Sequence, residues 1–256
     1  MFGKREQELF AKLNMPYEAV AVKFCRNRPE GFEQAEGEEM LCAFLKKAQE
    51  GGEPFYITVD NERCMGKVVM GMTELESNHV SGQVGCELGM FRTPAANARL
   101  YYEAPMMKRG TVNYILFCPV SRCEFHPDVV VCVADTESAH LLLRASSYRS
   151  GDLWESKCSF VMSCAWTYVY PYISGKVNHL FTGMHLGLRI QGLYPAGLHI
   201  ISIPYQKLDE IVDSLEEMEW YPCSLKKDEE SVRQNDEIIK KLDQIREDIT
   251  QPLAVK

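Results

Sequence analysis

Cysteine, histidine, arginine and glycine gather in three stretches of this chain, and each suggests a different chemistry. In "RCMGKVVMGM" (63–72), Cys64 stands two positions before Gly66. A thiol there is either a working thiolate, with a glycine that lets backbone pass close to a bound group, or a small apolar residue in a core. The run "SGKVNHLFTGMHLGLRIQGLYPAG" (174–197) holds five glycines with His179, His185 and Arg189. The histidines can ligate a metal or shuttle protons, and Arg189 can hold a carboxylate or phosphate. The competing reading is a long surface loop with incidental polar residues. In "CSFVMSCAWTYVYPYISG" (158–175), Cys158 and Cys164 precede Trp166, Tyr168, Tyr170 and Tyr172 at every second position. On a strand these rings form one aromatic face able to stack on a planar cofactor, or a core wall. The segment itself is ambiguous between strand and helix.

Other cysteines carry less. Cys118 and Cys123 flank "PVSR", with His126 three residues on, a partial metal or cluster pattern that also suits core packing at a strand end. Cys132 in "VVVCVAD" reads as core, and His79, His140 and His199 as ordinary polar residues on loop, helix and strand. The chain contains no Walker loop, no G-x-G-x-x-G, G-x-S-x-G or H-E-x-x-H, and no C-x-x-C. Without paired C-x-x-C turns a zinc ribbon is not expected, so metal ligands must come from distant segments.

The elements that must position these residues follow from periodicity. Phe2, Leu9, Phe10 and Leu13 predict a short amphipathic helix ended by Pro16, then "EAVAVKF" (18–24) alternates as a strand, and 29–39 is an acidic loop. "EEMLCAFLKKAQEGG" predicts a helix with acids in its first turn and Gly51 at its end. "FYITVD" (55–60) is a strand, which puts Cys64 just past a strand end on a helix or tight turn. Residues 74–93 read as a loop containing Cys86, and Pro94 opens the next helix. "VNYILFCPV" (112–120) and "DVVVCVAD" (128–135) are strands, antiparallel if adjacent, because seven residues are too few for a parallel crossover helix. A helix over 136–151 is capped by Asp135 or Thr136. The next switch, from strand to helix, falls at Pro204, with Leu208, Ile211, Val212 and Leu215 on one face. Beyond it, Asn235, Ile238, Leu242, Ile245 and Ile249 form a seam of about two heptads, suited to a dimer contact or to packing on the chain's own domain. The sum is an α+β fold: a single domain over 1–222, a mixed, partly antiparallel sheet surrounded by helices, and a C-terminal helical tail over 223–256.

Of 256 residues 46% are hydrophobic, enough for a substantial core, and the net charge of −8 argues against a phosphate-backbone binder. No apolar stretch approaches the roughly 18–20 residues needed to cross a bilayer, and the N-terminus lacks a signal-peptide core, so neither nucleic acid nor membrane is an expected partner. A cytoplasmic location is expected, where ten cysteines stay reduced and are free, buried, ligating or redox-active.

In order and spacing, "LCAFLKKAQEGGEPFYITVDNERCMGKVVMGM", "PDVVVCVADTESAHLLLRASSYRSG", "SCAWTYVYPYISGKVNH", "GLR" and "HIISIP" resemble the prokaryotic domain-of-unknown-function family numbered 169, over about residues 16–218. The resemblance implies a Cys-x-Gly at Cys64 and Gly66, a cysteine at Cys164, and a Gly-x-Arg at Gly187 and Arg189. Where the family pattern often has a late cysteine, this chain has His185, which exchanges a soft thiolate for an imidazole and weakens an all-thiolate cluster. Cys64, Cys164 and His185 become a candidate ligand set for a metal or cofactor, with a fourth position open.

The preferred reading is a metal- or redox-cofactor protein of iron–sulfur or tetrapyrrole type. Its ligands are Cys64, Cys164 and His185, with Gly66, Trp166, Tyr168, Gly187 and Arg189 around the cofactor and Cys64 and His185 as candidate catalytic groups. The alternatives are a metal-free enzyme with Cys64 or Cys164 as nucleophile, His179 or His185 as base and Arg189 on an anionic substrate, or a small-molecule-binding or interaction module, with possible self-association through the C-terminal helix.

Overall fold

Val129–Ala134 and Tyr114–Pro119 are runs of β-branched and aromatic residues buried almost throughout, as central strands covered on both faces must be. The structure is a computed structural model that describes residues 3–250, with side chains described for 3–246. Chain order runs α1 (Lys4–Lys12), β1 (Val20–Cys25), β2 (Glu33–Gln34), α2 (Leu41–Gly51), β3 (Phe55–Ile57), α3 (Gly66–Val69), α4 (Ser77–Val80), α5 (Gln83–Glu87), α6 (Pro94–Glu103), β4 (Tyr114–Pro119) and β5 (Val129–Ala134). It continues with α7 (Thr136–Ser147), a π-helical turn (Ala165–Val169) leading into α8 (Tyr170–Ser174), β6 (Asn178–Phe181), α9 (Leu186–Gln191), β7 (His199–Pro204), α10 (Tyr205–Glu217) and α11 (Glu229–Thr250). The strands form one sheet in the order β2-β3-β4-β1-β5-β7-β6, antiparallel at every pairing except β2 with β3. The α+β class and the mixed, mostly antiparallel sheet are as expected.

β4 and β5 are not neighbours. β1 lies between them and is antiparallel to both, with Val20 opposite Pro119 on one side and Val131 on the other. A short link suffices because β5 is staggered: only Val129–Val131 face β1, so the chain travels back by a few residues' rise. Asp128 closes the link, its N–H donating to Val22 O at 2.8 Å while its carboxylate accepts Phe24 N–H at 2.7 Å.

Residues 74–93, expected as a loop, and 174–197, for which a surface loop was the competing reading, both hold helices. Residues 74–93 contain α4 and α5, joined at Gly82 (φ +77°), where an added Cβ would lie 1.9 Å from Pro94 O. Glycine there serves close helix packing, not looseness, and Asn97 Nδ2 donates to Gly82 O across the contact. The glycine-rich run 174–197 likewise holds β6 and α9, and His79 sits in α4.

The aromatic run 166–172 is helical, so the strand alternative fails. Its rings do not share one face: Trp166 and Tyr170 tilt toward each other (6.4 Å), while Tyr168 packs toward Phe117 (6.4 Å) and Tyr172 toward Phe24 (5.1 Å). Pro171 in the first turn of α8 and Gly175 in the left-handed region beyond it are helix-boundary signals that the alternation masked. α2 begins at Leu41 behind Met40, so Glu38 and Glu39 precede its first turn, and Gly52 (φ +69°) terminates it in place of Gly51.

The chain divides into two units, Met1–Glu216 and Glu217–Lys256. In the second, Val232, Ile238, Ile239, Leu242 and Ile245 on α11 are exposed. The side chain of Ile249, and Phe2, lie outside the described residues. Among the described residues no helix is long and apolar enough to cross a membrane.

Candidate functional site

A buried carboxylate organises the Cys64 turn. After β3 the chain makes a 3-10 turn (Val59–Asn61) held by Asn61, whose amide donates to Ala35 O and Gly37 O, each at 2.9 Å. The next residue, Glu62, is buried. Its Oε1 accepts Leu41 N–H at the start of α2 (3.0 Å), and its Oε2 accepts Cys64 N–H (3.0 Å) and Lys67 N–H (2.8 Å). Glu62 thus supplies the negative charge at the α2 N-terminus that its own preceding acids were expected to supply. An added Cβ on Gly66 would lie 2.9 Å from both Glu62 Oε1 and Leu41 Cβ, which is why that position has no side chain. Burial raises the Glu62 pKa, against the opposing pull of the Lys67, Leu41 and Cys64 amides.

Three thiols lie within electrostatic range of one another and of this hub. Cys64 is half-buried, with its sulfur facing the Met65 and Gly66 amides, yet burial and the Glu62 charge raise its pKa above the ordinary 9.0. Cys42, in the first turn of α2, is pushed up to about 12 by burial and then by charge on Cys64. Cys164, immediately before the π-helical turn, is raised well above 9.0 by burial and by charges on Cys42, Glu62 and Cys64. All three are protonated thiols at neutral pH when the protein stands alone. Iodoacetamide labelling of Cys64 should therefore show a pH midpoint above 9, and a midpoint near 7 in a pH-resolved mass-spectrometric rate series would contradict this environment.

Around the thiols are buried polar atoms without partners. The Tyr168 hydroxyl is buried with no hydrogen bond, and burial followed by charge on Cys164 raises its pKa further. Gln191 Nε2 on α9 donates to Met40 Sδ (2.9 Å) and Cys42 Sγ (3.2 Å), and Gly187 faces the same two sulfurs, its missing Cβ 3.7 Å from Cys42 Sγ. His185, two residues earlier, is fully buried with neither ring nitrogen bonded, and burial lowers its pKa to about 4. An unsatisfied buried polar group costs about 1–3 kcal/mol, so each of these marks where a bound group would be stabilising. Two residues before Cys164, Met162 holds φ +60°, a left-handed conformation that costs a non-glycine residue about 1–2 kcal/mol.

The family model described as the uncharacterised ArCR family, DUF169, matches residues 8–214. The chain belongs to DUF169. A relative in Methanocaldococcus jannaschii, "Uncharacterized protein MJ0308", is 24% identical over 219 residues, covering 84% of this chain and 92% of its own. No solved structure matches.

Within this DUF169 chain, Gly66 lies against Glu62, Gly187 against Cys42 Sγ, and Cys64, Cys164 and Tyr168 are within electrostatic range of one or more of the other thiols. Trp166 is buried nearby, its Nε1 donating to Ser159 Oγ at 2.8 Å, and Arg189 is exposed on α9 with its backbone N–H bonded to His185 O. His179 lies elsewhere, bonded to His199. Cys118 and Cys123 do meet, thiol to thiol, while His126 bonds the Tyr205 hydroxyl. Cys132 is fully buried. Among the described residues no three Cys, His, Asp or Glu side chains are arranged to hold a metal ion. Sequence reasoning passed over Cys42, which sits on the apolar stripe of a helix, and Glu62, which no local pattern distinguishes. The only available signal was the position of Cys42 in the first turn of a helix.

Proposed function

We propose that this DUF169 protein carries a soft-metal or redox cofactor, an iron–sulfur centre first, held by Cys42, Cys64 and Cys164. One observation carries the reading: three thiols and a carboxylate sit close enough that each charge penalises the next, beside an unpartnered buried phenol. A cation reverses that penalty, because a coordinating thiol loses its proton outright. Thiolates are also the donors that iron–sulfur centres and other soft metals select.

The donor chemistry fits and the spacing is not that of a closed cage, so binding must draw the sulfurs together. When bound, such a centre supplies electron transfer or a Lewis-acidic position. The chain's own groups hold and shield it: Glu62 fixes the Cys64 turn, Gln191 orients Met40 and Cys42, and Tyr168 offers a hydroxyl toward the thiols. An activated nucleophile would need a depressed thiol pKa, and here all three thiols are raised, which disfavours the metal-free cysteine enzyme. A tetrapyrrole is less favoured because the rings expected to stack on it do not share one face. Ten unpaired cysteines suit a reducing compartment such as the cytoplasm.

The test is metal analysis with an ultraviolet–visible spectrum on protein purified without oxygen, and again after reconstitution with iron and sulfide. Stoichiometric iron and visible absorbance, lost in Cys42→Ser, Cys64→Ser and Cys164→Ser, are expected. A colourless, iron-free wild type after reconstitution refutes the reading.

A further inference from the structure

At the β6 edge of the sheet, β6 and β7 place His179 and His199 diagonally on one face, with Phe181 opposite His199 in the register. His179 Nε2 and His199 Nδ1 are 2.8 Å apart, the two rings lie nearly parallel with centroids 5.1 Å apart, and His199 Nε2 is 3.2 Å from Thr136 Oγ1. Every link in this Thr136–His199–His179 chain can run in either direction. Switching both tautomers together turns the outer nitrogen of His179 from donor to acceptor.

His179 lines a cleft of about 570 Å³, within the range of small-molecule sites. Its opposite wall is the irregular segment 152–157, fastened to the edge strand by Ser156, whose hydroxyl donates to His179 O, and by Lys157 N–H, which donates to Asn178 Oδ1 at 3.0 Å. On that wall Trp154 is 55% exposed although its indole is pinned, Nε1 donating to Ser147 Oγ at 3.3 Å. A large ring held in place with its surface open to a cleft is a stacking platform. The polar lining is of mixed sign: Lys176 paired with Glu155 (3.0 Å), Lys207 paired with Glu210 (2.6 Å), and Asp152. A simple anion meets the carboxylates and a simple cation meets the lysines. A neutral planar ring with both donor and acceptor edges suits all of them.

We propose that the Trp154–His179 cleft binds a planar nitrogen heterocycle of the nucleoside class, stacked on Trp154 with an edge read by the reversible His179–His199 pair. It is independent of the thiol site.

Adenosine is the probe, titrated calorimetrically into the full chain, with benzoate as an anionic aromatic control. Saturable adenosine binding is expected, weakened about tenfold or more in Trp154→Ala and largely restored in Trp154→Phe, as loss and return of one stacking platform require. His179→Ala should weaken it as well, Cys64→Ser should leave it unchanged, and benzoate should not compete. Trp154 is too exposed for its loss to unfold the domain, and circular dichroism of each variant checks this. Absent saturation, undiminished affinity in Trp154→Ala, or benzoate binding as tightly as adenosine overturns the proposal.

Discussion

Glu62→Ala is expected to lower the unfolding free energy by about 3 kcal/mol or more, because each amide donor left without an acceptor costs about 1–3 kcal/mol. Three amide donors, from Leu41, Cys64 and Lys67, lose their acceptor together, and two of them cannot turn to water without moving α2 or the Cys64 turn. Glu62→Gln should fall between wild type and alanine. One carboxamide oxygen can still cap Leu41, but its NH₂ then faces the Cys64 and Lys67 amides, donor against donor. Urea unfolding with an unchanged m-value measures both. A loss below about 1 kcal/mol in the alanine variant would mean that the hub is not a stability determinant. Because the folded state raises the Glu62 pKa, its ionisation opposes folding. Its contribution is most favourable below pH 4.5 and declines as pH rises through the folded value, so Glu62→Gln should remove that decline.

Acid should act in the opposite sense through His185. Its pKa falls from 6.5 to about 4 on folding, because a fully buried ring without hydrogen bonds has nothing to stabilise a positive charge. Between those values the unfolded chain takes a proton that the folded state refuses. Stability is therefore intact above pH 6.5 and is lost as pH falls toward 4, by about 1.4 kcal/mol per unit and about 3 kcal/mol in all. The difference in unfolding free energy between wild type and His185→Gln, followed from pH 7 to pH 4, should shift by that amount in favour of the variant. Parallel curves would show that His185 has a partner in solution.

Much of the sheet and of the long helices was legible because their patterns are local. The β-branched runs gave β4 and β5, Asp135 gave the start of α7 with its carboxylate on Ser138 N–H at 2.8 Å, and Pro204 gave the switch from β7 to α10. What was not legible depends on residues far apart in sequence. That β1 intervenes between β4 and β5 is a matter of stagger, which no window along the chain contains. At the site, Cys64, Gly66 and Cys164 stood out by residue type and local setting, but only the family resemblance grouped them with Gly187. Cys42 looked like one more apolar position on α2. Glu62 acts on an amide 21 residues earlier in the chain, and its role exists only once β3 and α2 are in place. The alternation of 166–172 left strand and helix undecided because a helix can also carry aromatic residues at every second position, sending them to different partners.

The central place of β1 has a consequence for how the chain is made. Both neighbours of Val20–Val22 are encoded roughly a hundred residues later. At ribosomal speeds of about 5–20 residues per second, that leaves the strand emerging from the exit tunnel unpaired for about 5–20 seconds, with both hydrogen-bonding edges open. Its protection during that interval must come from outside the sheet.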